Sequence, residues 1–373
     1  MKLLHVVPTY VPAWRHGGPI LAVHGLCKAL AARGHAVTVL TTDVHGDGRL
    51  EVPLGEPVTV DGVEVWYFPA VLPRLYWSPT LGRALAGRVA RADLVHLHSV
   101  FLWPTSAAAR AAERADVPYV LSPRGMLVPE LIEQRGRFRK LAWMHLAERR
   151  TLERAAALHM TSRLEAEEAA RLDLPLPPAF VIPNGVDLEP NGSGPRREPF
   201  LLFLGRVSWK KGLDRLLPAL AHVPAAILKI AGNDEEGLRL ELERLAQAAG
   251  VSGRIDFLGP VHGPEKEALL RRAAVLVLPS RSENFGNVVL EAMAAGCPVA
   301  VTPEVGLAGT VRETGAGIVV DGDPAQLGEA LRDLLADSAR REEMGSRGRA
   351  AAERFGWAAV AGEMEGMYRR VLR

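Results

Sequence analysis

The chain reads as an α/β protein built from two domains, each a parallel sheet covered on both faces. Three observations predict this. Short apolar runs of strand length alternate with helical segments through the first half. The run 189–199, EPNGSGPRREP, is rich in Pro, Gly and charge and has no periodicity, which marks a linker. The alternation then begins again at residue 200. A length of 373 residues with 48% hydrophobic content is enough for two cores of ordinary size.

The expected strands of the first half are 3–7, 36–41, 63–68, 93–98, 118–122 and 156–160. A helix through Arg33 follows the Gly17-Gly18 pair, and Ser162 is the expected cap of another through Leu172. Residues 181–187, VIPNGVD, close the domain. In the second half, strands are expected at 200–204, 226–230, 255–258 and 274–278, with an amphipathic helix over 235–249. Asp323 before Pro324 reads as an N-cap with Pro at N1, so Asp321-Gly322-Asp323 is not taken as a metal motif. A last helix is expected over 355–372. The domain limits are therefore 1–187, a linker at 188–199, 200–354, and a terminal helix at 355–373.

Composition excludes several classes. A net charge of +2, without an aromatic-basic run, gives no reason to expect nucleic acid. Cys27 and Cys297 are the only cysteines and lack paired spacing, against a disulfide framework or zinc site and in favour of a reducing cytoplasm. MKLLHVVPTY is broken too early by Pro8 for a signal peptide, and no apolar run reaches the length of a membrane span.

Chemistry concentrates in residues 278–301, LPSRSENFGNVVLEAMAAGCPVAV. A buried strand ends at Pro279-Ser280, a loop carries Glu283, and a helix begins near Asn287, the expected N-cap, and ends before Gly296. Glu291 lies one turn into that helix. Free N–H groups at the helix start suit an electronegative ligand, and the two carboxylates suit hydroxyl donors. A nucleotide sugar carries both. The loop FLGRVSWKKG, residues 203–212, offers Arg206 and Lys211 at a strand end. Fixed cations there would stabilise the charge of a departing diphosphate. His96 and His98 share one face of their strand, and His98 is nearer the C-terminal end, where open α/β sheets bind ligands. Hydrogen bonding to backbone is the alternative role for both; a metal site is the poorer one, for want of an evident third ligand.

These stretches resemble the retaining glycosyltransferases of family four, and the resemblance spans nearly the whole chain. It implies the GT-B fold: two Rossmann-like domains with an interdomain cleft, and a C-terminal helix returning to the first. It implies that Glu283 holds donor-sugar hydroxyls, that Asn284, Phe285, Gly286 and Asn287 cradle the sugar, and that Glu291 binds the ribose. Arg206 and Lys211 would clamp the diphosphate, Gly17-Gly18 would face it, and the nucleobase would pack at Val261. His98 and Arg124 would serve the acceptor, with His98, Glu283, Arg206 and Lys211 forming the catalytic set. The implied reaction is sugar transfer with retention of configuration to a glycan or lipid-linked acceptor, in surface polysaccharide synthesis, with no cofactor and no metal. UDP is the favoured donor nucleotide, with GDP and ADP open.

A retaining glycosidase would use two carboxylates about 5 Å apart but has no need of the cationic loop. A nucleotide-sugar epimerase of similar fold, or a non-catalytic nucleotide-sugar-binding protein, are the alternatives. Residues 135–154 mix Arg135, Arg137, Arg139, Lys140, Arg149 and Arg150 with Phe138, Leu141, Trp143 and Met144. That pattern suits an anionic membrane surface. The expected location is the cytoplasm, with the inner membrane face as a second address.

Overall fold

The computed structural model describes residues 1–13, 17–128, 148–172, 174–188 and 197–373. The chain divides into two compact units. One is Met1–Gly185 with Trp357–Arg373, and the other is Val186–Gly356. The chain thus passes between units at Gly185–Val186 and again at Gly356–Trp357. Most of the expected linker, 189–196, lies outside the described residues.

The first unit holds an eight-stranded sheet. Its strands are β1 (Lys2–Val6), β2 (Ala36–Thr42), β5 (Pro57–Val60), β6 (Val63–Phe68), β7 (Leu94–His98), β8 (Tyr119–Ser122), β9 (Ala157–Met160) and β10 (Ala179–Val181). A small hairpin, β3 (Val44–His45) with β4 (Gly48–Arg49), stands apart. The order is β10-β9-β8-β7-β1-β2-β6-β5, parallel except for β5 at the edge. β1, β7, β8 and β9 are buried almost throughout, as strands covered on both faces must be. From β1 the chain builds outward to β2 and β6. It then returns to place β7 on the other side of β1, so the order reverses between β1 and β7.

The helix Trp357–Val371 belongs to this unit and packs on the helix Gly18–Ala32. Gly25 makes room for it: a Cβ there would sit 2.2 Å from the Trp357 ring. Arg33 and Glu365 tie the two helices by an ion pair at 2.6 Å. The terminal helix starts at Trp357 rather than 355, because a 3-10 turn, Glu353–Phe355, and Gly356 precede it.

The second unit holds six parallel strands: β11 (Glu198–Leu204), β12 (Ile227–Ala231), β13 (Ile255–Gly259), β14 (Ala273–Leu278), β15 (Val299–Val301) and β16 (Gly317–Val319). Their order, β13-β12-β11-β14-β15-β16, reverses between β11 and β14. The run AAVLVL of β14 is wholly buried. The helix after it is Asn287–Ala294, and its N-cap is Gly286 at φ 94°, not Asn287, which is the first helical residue. The left-handed turn needed to enter the helix falls on the residue without a Cβ. The expected helix over 235–249 begins later, at Arg239, because Asp234 accepts from the N–H groups of Leu238 and Arg239. Asp323 caps its helix, accepting from Ala325 and Gln326.

Candidate active site

Open α/β sheets bind ligands where strand order reverses, beyond the C-terminal strand ends. In the second unit that point lies between β11 and β14, and four of the singled-out charges are there. Arg206 and Lys211 follow β11, Glu283 follows β14, and Glu291 projects from the next helix. Lys211 Nζ donates to Glu283 Oε2, joining the two loops across the switch point. Gly212 permits their approach. It is at φ +69°, and a Cβ would stand 2.0 Å from the Pro279 carbonyl oxygen.

Each charge already has a partner. Arg206 Nη1 donates to both carboxylate oxygens of Glu235, at 2.8 and 2.7 Å. Lys266 Nζ donates to Glu291 Oε1 at 2.9 Å. Glu235 and Lys266 were not picked out from the sequence. Each is remote along the chain from its partner and only the fold brings them together. The Arg206 pair is about two-fifths exposed, so it contributes little to stability and exchanges readily for a stronger ligand. Glu283 is anchored by its backbone, with N–H to Glu304 O and carbonyl from Gly306 N. Phe285 and Val261 are buried in the unit's core, and Asn284 and Asn287 are half-buried at its edge.

In the first unit the reversal lies between β1 and β7. Strand register sets His5 beside His96 and His98 beside Ser122, and His159 of β9 extends the same row. All four histidines are buried. His96 and His98 stack with ring centroids 4.2 Å apart. Tyr368, from the terminal helix, reaches His96 Nδ1 at 2.6 Å, and Ser122 Oγ lies 2.7 Å from His96 Nε2. Ser122 is 2.6 Å from His159 Nδ1, and His159 Nε2 donates to the Ile182 carbonyl at 2.9 Å. His98 Nε2 meets His5 Nδ1 at 3.0 Å. Burial lowers all four pKa values, to about 3 for His5 and His159, and the charge of Arg124 pushes His98 the same way.

Arg124 follows β8 at φ 57°, and Ser99 and Phe101 beyond β7 are also left-handed, at 72° and 62°. Strain in non-glycine residues gathers at sites whose geometry serves a ligand. Glu165 holds the loop, accepting from the Gly125 N–H at 2.7 Å. Arg124 donates to Asn184 Oδ1 at 2.8 Å and to His98 Nδ1 at 3.3 Å. With Thr9, Pro19, Tyr76 and Ser99, His98 and Arg124 line a cavity of about 150 Å³. Gly17 and Gly18 open the neighbouring helix, Gly17 at φ 72°. His5, His96 and His98 also offer nitrogens within 4.8 Å of one another. The set suits hydrogen bonding better than a metal: both His96 nitrogens are engaged and the cation Arg124 adjoins His98.

A sequence profile of the Glycosyl transferases group 1 family matches residues 188–351, and one of the Glycosyl transferase 4-like domain matches residues 17–185. A D-inositol 3-phosphate glycosyltransferase of Xylanimonas cellulosilytica is 33% identical, over 94% of this chain and 91% of its own. The chain belongs to the group 1 glycosyltransferases. Solved structures agree on the GT-B fold of this glycosyltransferase. A sucrose-phosphate synthase from Thermosynechococcus elongatus superposes with TM-score 0.79 at 24% identity, covering 100% of this chain and 99% of that one. The Anabaena protein Alr3699/HepE, in complex with UDP and glucose, gives 0.76 at 18%, covering 99% and 100%.

The basic segment is a separate matter. Residues 135–147 of it lie outside the described residues. Of the remainder, Arg149 pairs with Glu153 and Arg150 with Glu113.

Proposed function

We propose that this glycosyltransferase moves a sugar from a nucleotide-sugar donor, UDP-linked by preference, to a glycan or lipid-linked acceptor with retention of configuration. The observation that carries the reading is the charge set of Arg206, Lys211, Glu283 and Glu291 around one switch point. In this reading an incoming diphosphate displaces Glu235 from Arg206 and Glu283 from Lys211. The cations then stabilise the leaving phosphate, and the released Glu283 receives sugar hydroxyls. Asn284, Phe285, Gly286 and Asn287 cradle the sugar, Glu291 holds the ribose, Val261 flanks the base, and Gly17-Gly18 face the diphosphate. His98 and Arg124 meet the acceptor. The cations supply the positive field, so no metal is invoked. A structural relative holding UDP and glucose supports the donor class. A role in surface polysaccharide synthesis, and an anionic membrane surface as the acceptor's home, rest on the resemblance and the basic segment.

A panel of UDP-, GDP- and ADP-sugars tests the reading. Each is offered with polyol-phosphate, glycan and lipid-linked acceptors, with and without anionic vesicles. Transfer is expected with one donor, with the product anomer matching the donor. His98→Ala should reduce transfer about tenfold or more while nucleotide binding, measured calorimetrically, is unchanged. Turnover of donor without acceptor, giving an altered sugar, would make the protein an epimerase, and binding without turnover would make it a sensor.

A further inference from the structure

The pair of Lys266 and Glu291 faces different chemistry from the other ion pairs around the second switch point. A diphosphate is charged, so it can take Arg206 from Glu235 and Lys211 from Glu283 by offering a stronger anion. A ribose is neutral. Breaking a partly buried ion pair strands two charges, and a neutral hydroxyl compensates neither. The side chains of Lys266 and Glu291 are 24% and 27% exposed. Lys266 Nζ donates to Glu291 Oε1 at 2.9 Å, and Oε2 has no hydrogen-bond partner among the described residues. A carboxylate accepts several bonds, so Oε2 stays open to a hydroxyl while Oε1 keeps the lysine. Two helices set this geometry. Lys266 is the fourth residue of Gly263–Arg272, the helix after β13, and lies five residues beyond Val261. Glu291 is the fifth residue of Asn287–Ala294. A cation in the first turn of a helix opposes the partial positive charge there. Among the described residues Lys266 has no ion-pair partner other than Glu291, so its position serves that carboxylate rather than its own helix.

We propose that Lys266 is a positioning residue for nucleotide recognition, holding Glu291 by Oε1 so that Oε2 accepts a ribose hydroxyl. This rests on the reading of Glu291 as the ribose ligand. Lys266 stays in place when the nucleotide binds, unlike Glu235 on Arg206. Without it the carboxylate regains its rotamers and its full water shell, and the nucleotide must remove both on binding. UDP, GDP and ADP all carry that ribose, so the role is the same for each.

Calorimetric titration of the full chain with UDP, 2′-deoxy-UDP and 3′-deoxy-UDP tests this, with the same forms of GDP or ADP where one of those binds tighter. The wild type is expected to bind UDP about tenfold or more tighter than at least one deoxy form, the worth of a hydrogen bond to a charged group. Lys266→Met should weaken UDP about threefold to tenfold, the worth of one re-ordered side chain, and weaken that deoxy form much less. The ratio between the two therefore falls. Lys266→Arg, which keeps a cationic donor, should recover most of the loss. In Glu291→Ala the ratio is already lost, and adding Lys266→Met should cost little more. Equal weakening of UDP and its deoxy forms by Lys266→Met would mean a cation acting on the diphosphate rather than through Glu291, and overturns the proposal. So does unchanged UDP affinity in Lys266→Met. A wild type that binds all three nucleotides alike, or a Glu291→Ala that keeps the ratio, would instead remove Glu291 as the ribose ligand, and the proposal with it.

Discussion

At the switch point of the first unit, between β1 and β7, sit neutral rings whose hydrogen bonds run inward to Tyr368, Ser122 and Ile182. At the corresponding point of the second, between β11 and β14, sit charged groups paired at or near the surface. The topology is the same and the electrostatics are opposite. Buried polar groups need fixed partners, because an unmet donor there costs about 1–3 kcal/mol. Cations meant for an anionic ligand need partners that can leave. Neutral burial therefore gives geometry, and ion pairing nearer the surface gives exchange.

The largest test of this contrast is pH. Each buried histidine has a folded pKa below its unfolded value near 6.5, so the unfolded chain binds more protons in between. Stability is then fully present above about pH 6.5 and lost as pH falls toward 3. Each ring that stays neutral while its unfolded counterpart charges costs up to about 1.4 kcal/mol per pH unit. Urea melts at pH 8, 7, 6 and 5 should show little change between the first two and a steep fall below 6.5. A flat profile down to pH 5 would mean that the folded rings take up protons as readily as the unfolded chain does, and the contrast would fail.

On the second side, Arg206→Ala and Lys211→Ala should each reduce transfer by about 10²–10³-fold, the range for a lost transition-state charge partner. Steady-state kinetics with the identified substrates check this. Near-normal turnover in both would remove the diphosphate assignment and leave the pairs as ordinary surface bridges. The smallest effect sharpens the idea of exchange. Glu235→Gln frees Arg206 and should tighten nucleoside diphosphate binding about twofold to fivefold, the worth of an exposed pair. Calorimetric titration measures it, and unchanged affinity would mean that Glu235 never competes with the ligand.

The parallel two-unit architecture was legible because apolar runs such as those of β7, β11 and β14 are buried on both faces and leave little ambiguity. Arg206, Lys211, Glu283 and Glu291 were legible because each lies in a local stretch of recognisable spacing. Their partners were not. Glu235 and Lys266 look like any surface charge until the loop after β12 and the helix after β13, Gly263–Arg272, place them. The histidine row had a fainter signal: His5, His96 and His159 each interrupt an apolar run. Only strand register shows that they are neighbours, and Tyr368 comes from the opposite end of the chain.

That last origin bears on how the protein is made. A ribosome finishes β1, β7, β8 and β9 early, yet the hydroxyl that closes their polar row belongs to a helix translated after all of Val186–Gly356. Until then His96 Nδ1 has no tyrosine, and the early unit remains incomplete while the later one emerges. A nascent chain halted before Trp357 is therefore expected to lack the glycosyl transfer that a chain extended through Tyr368 performs.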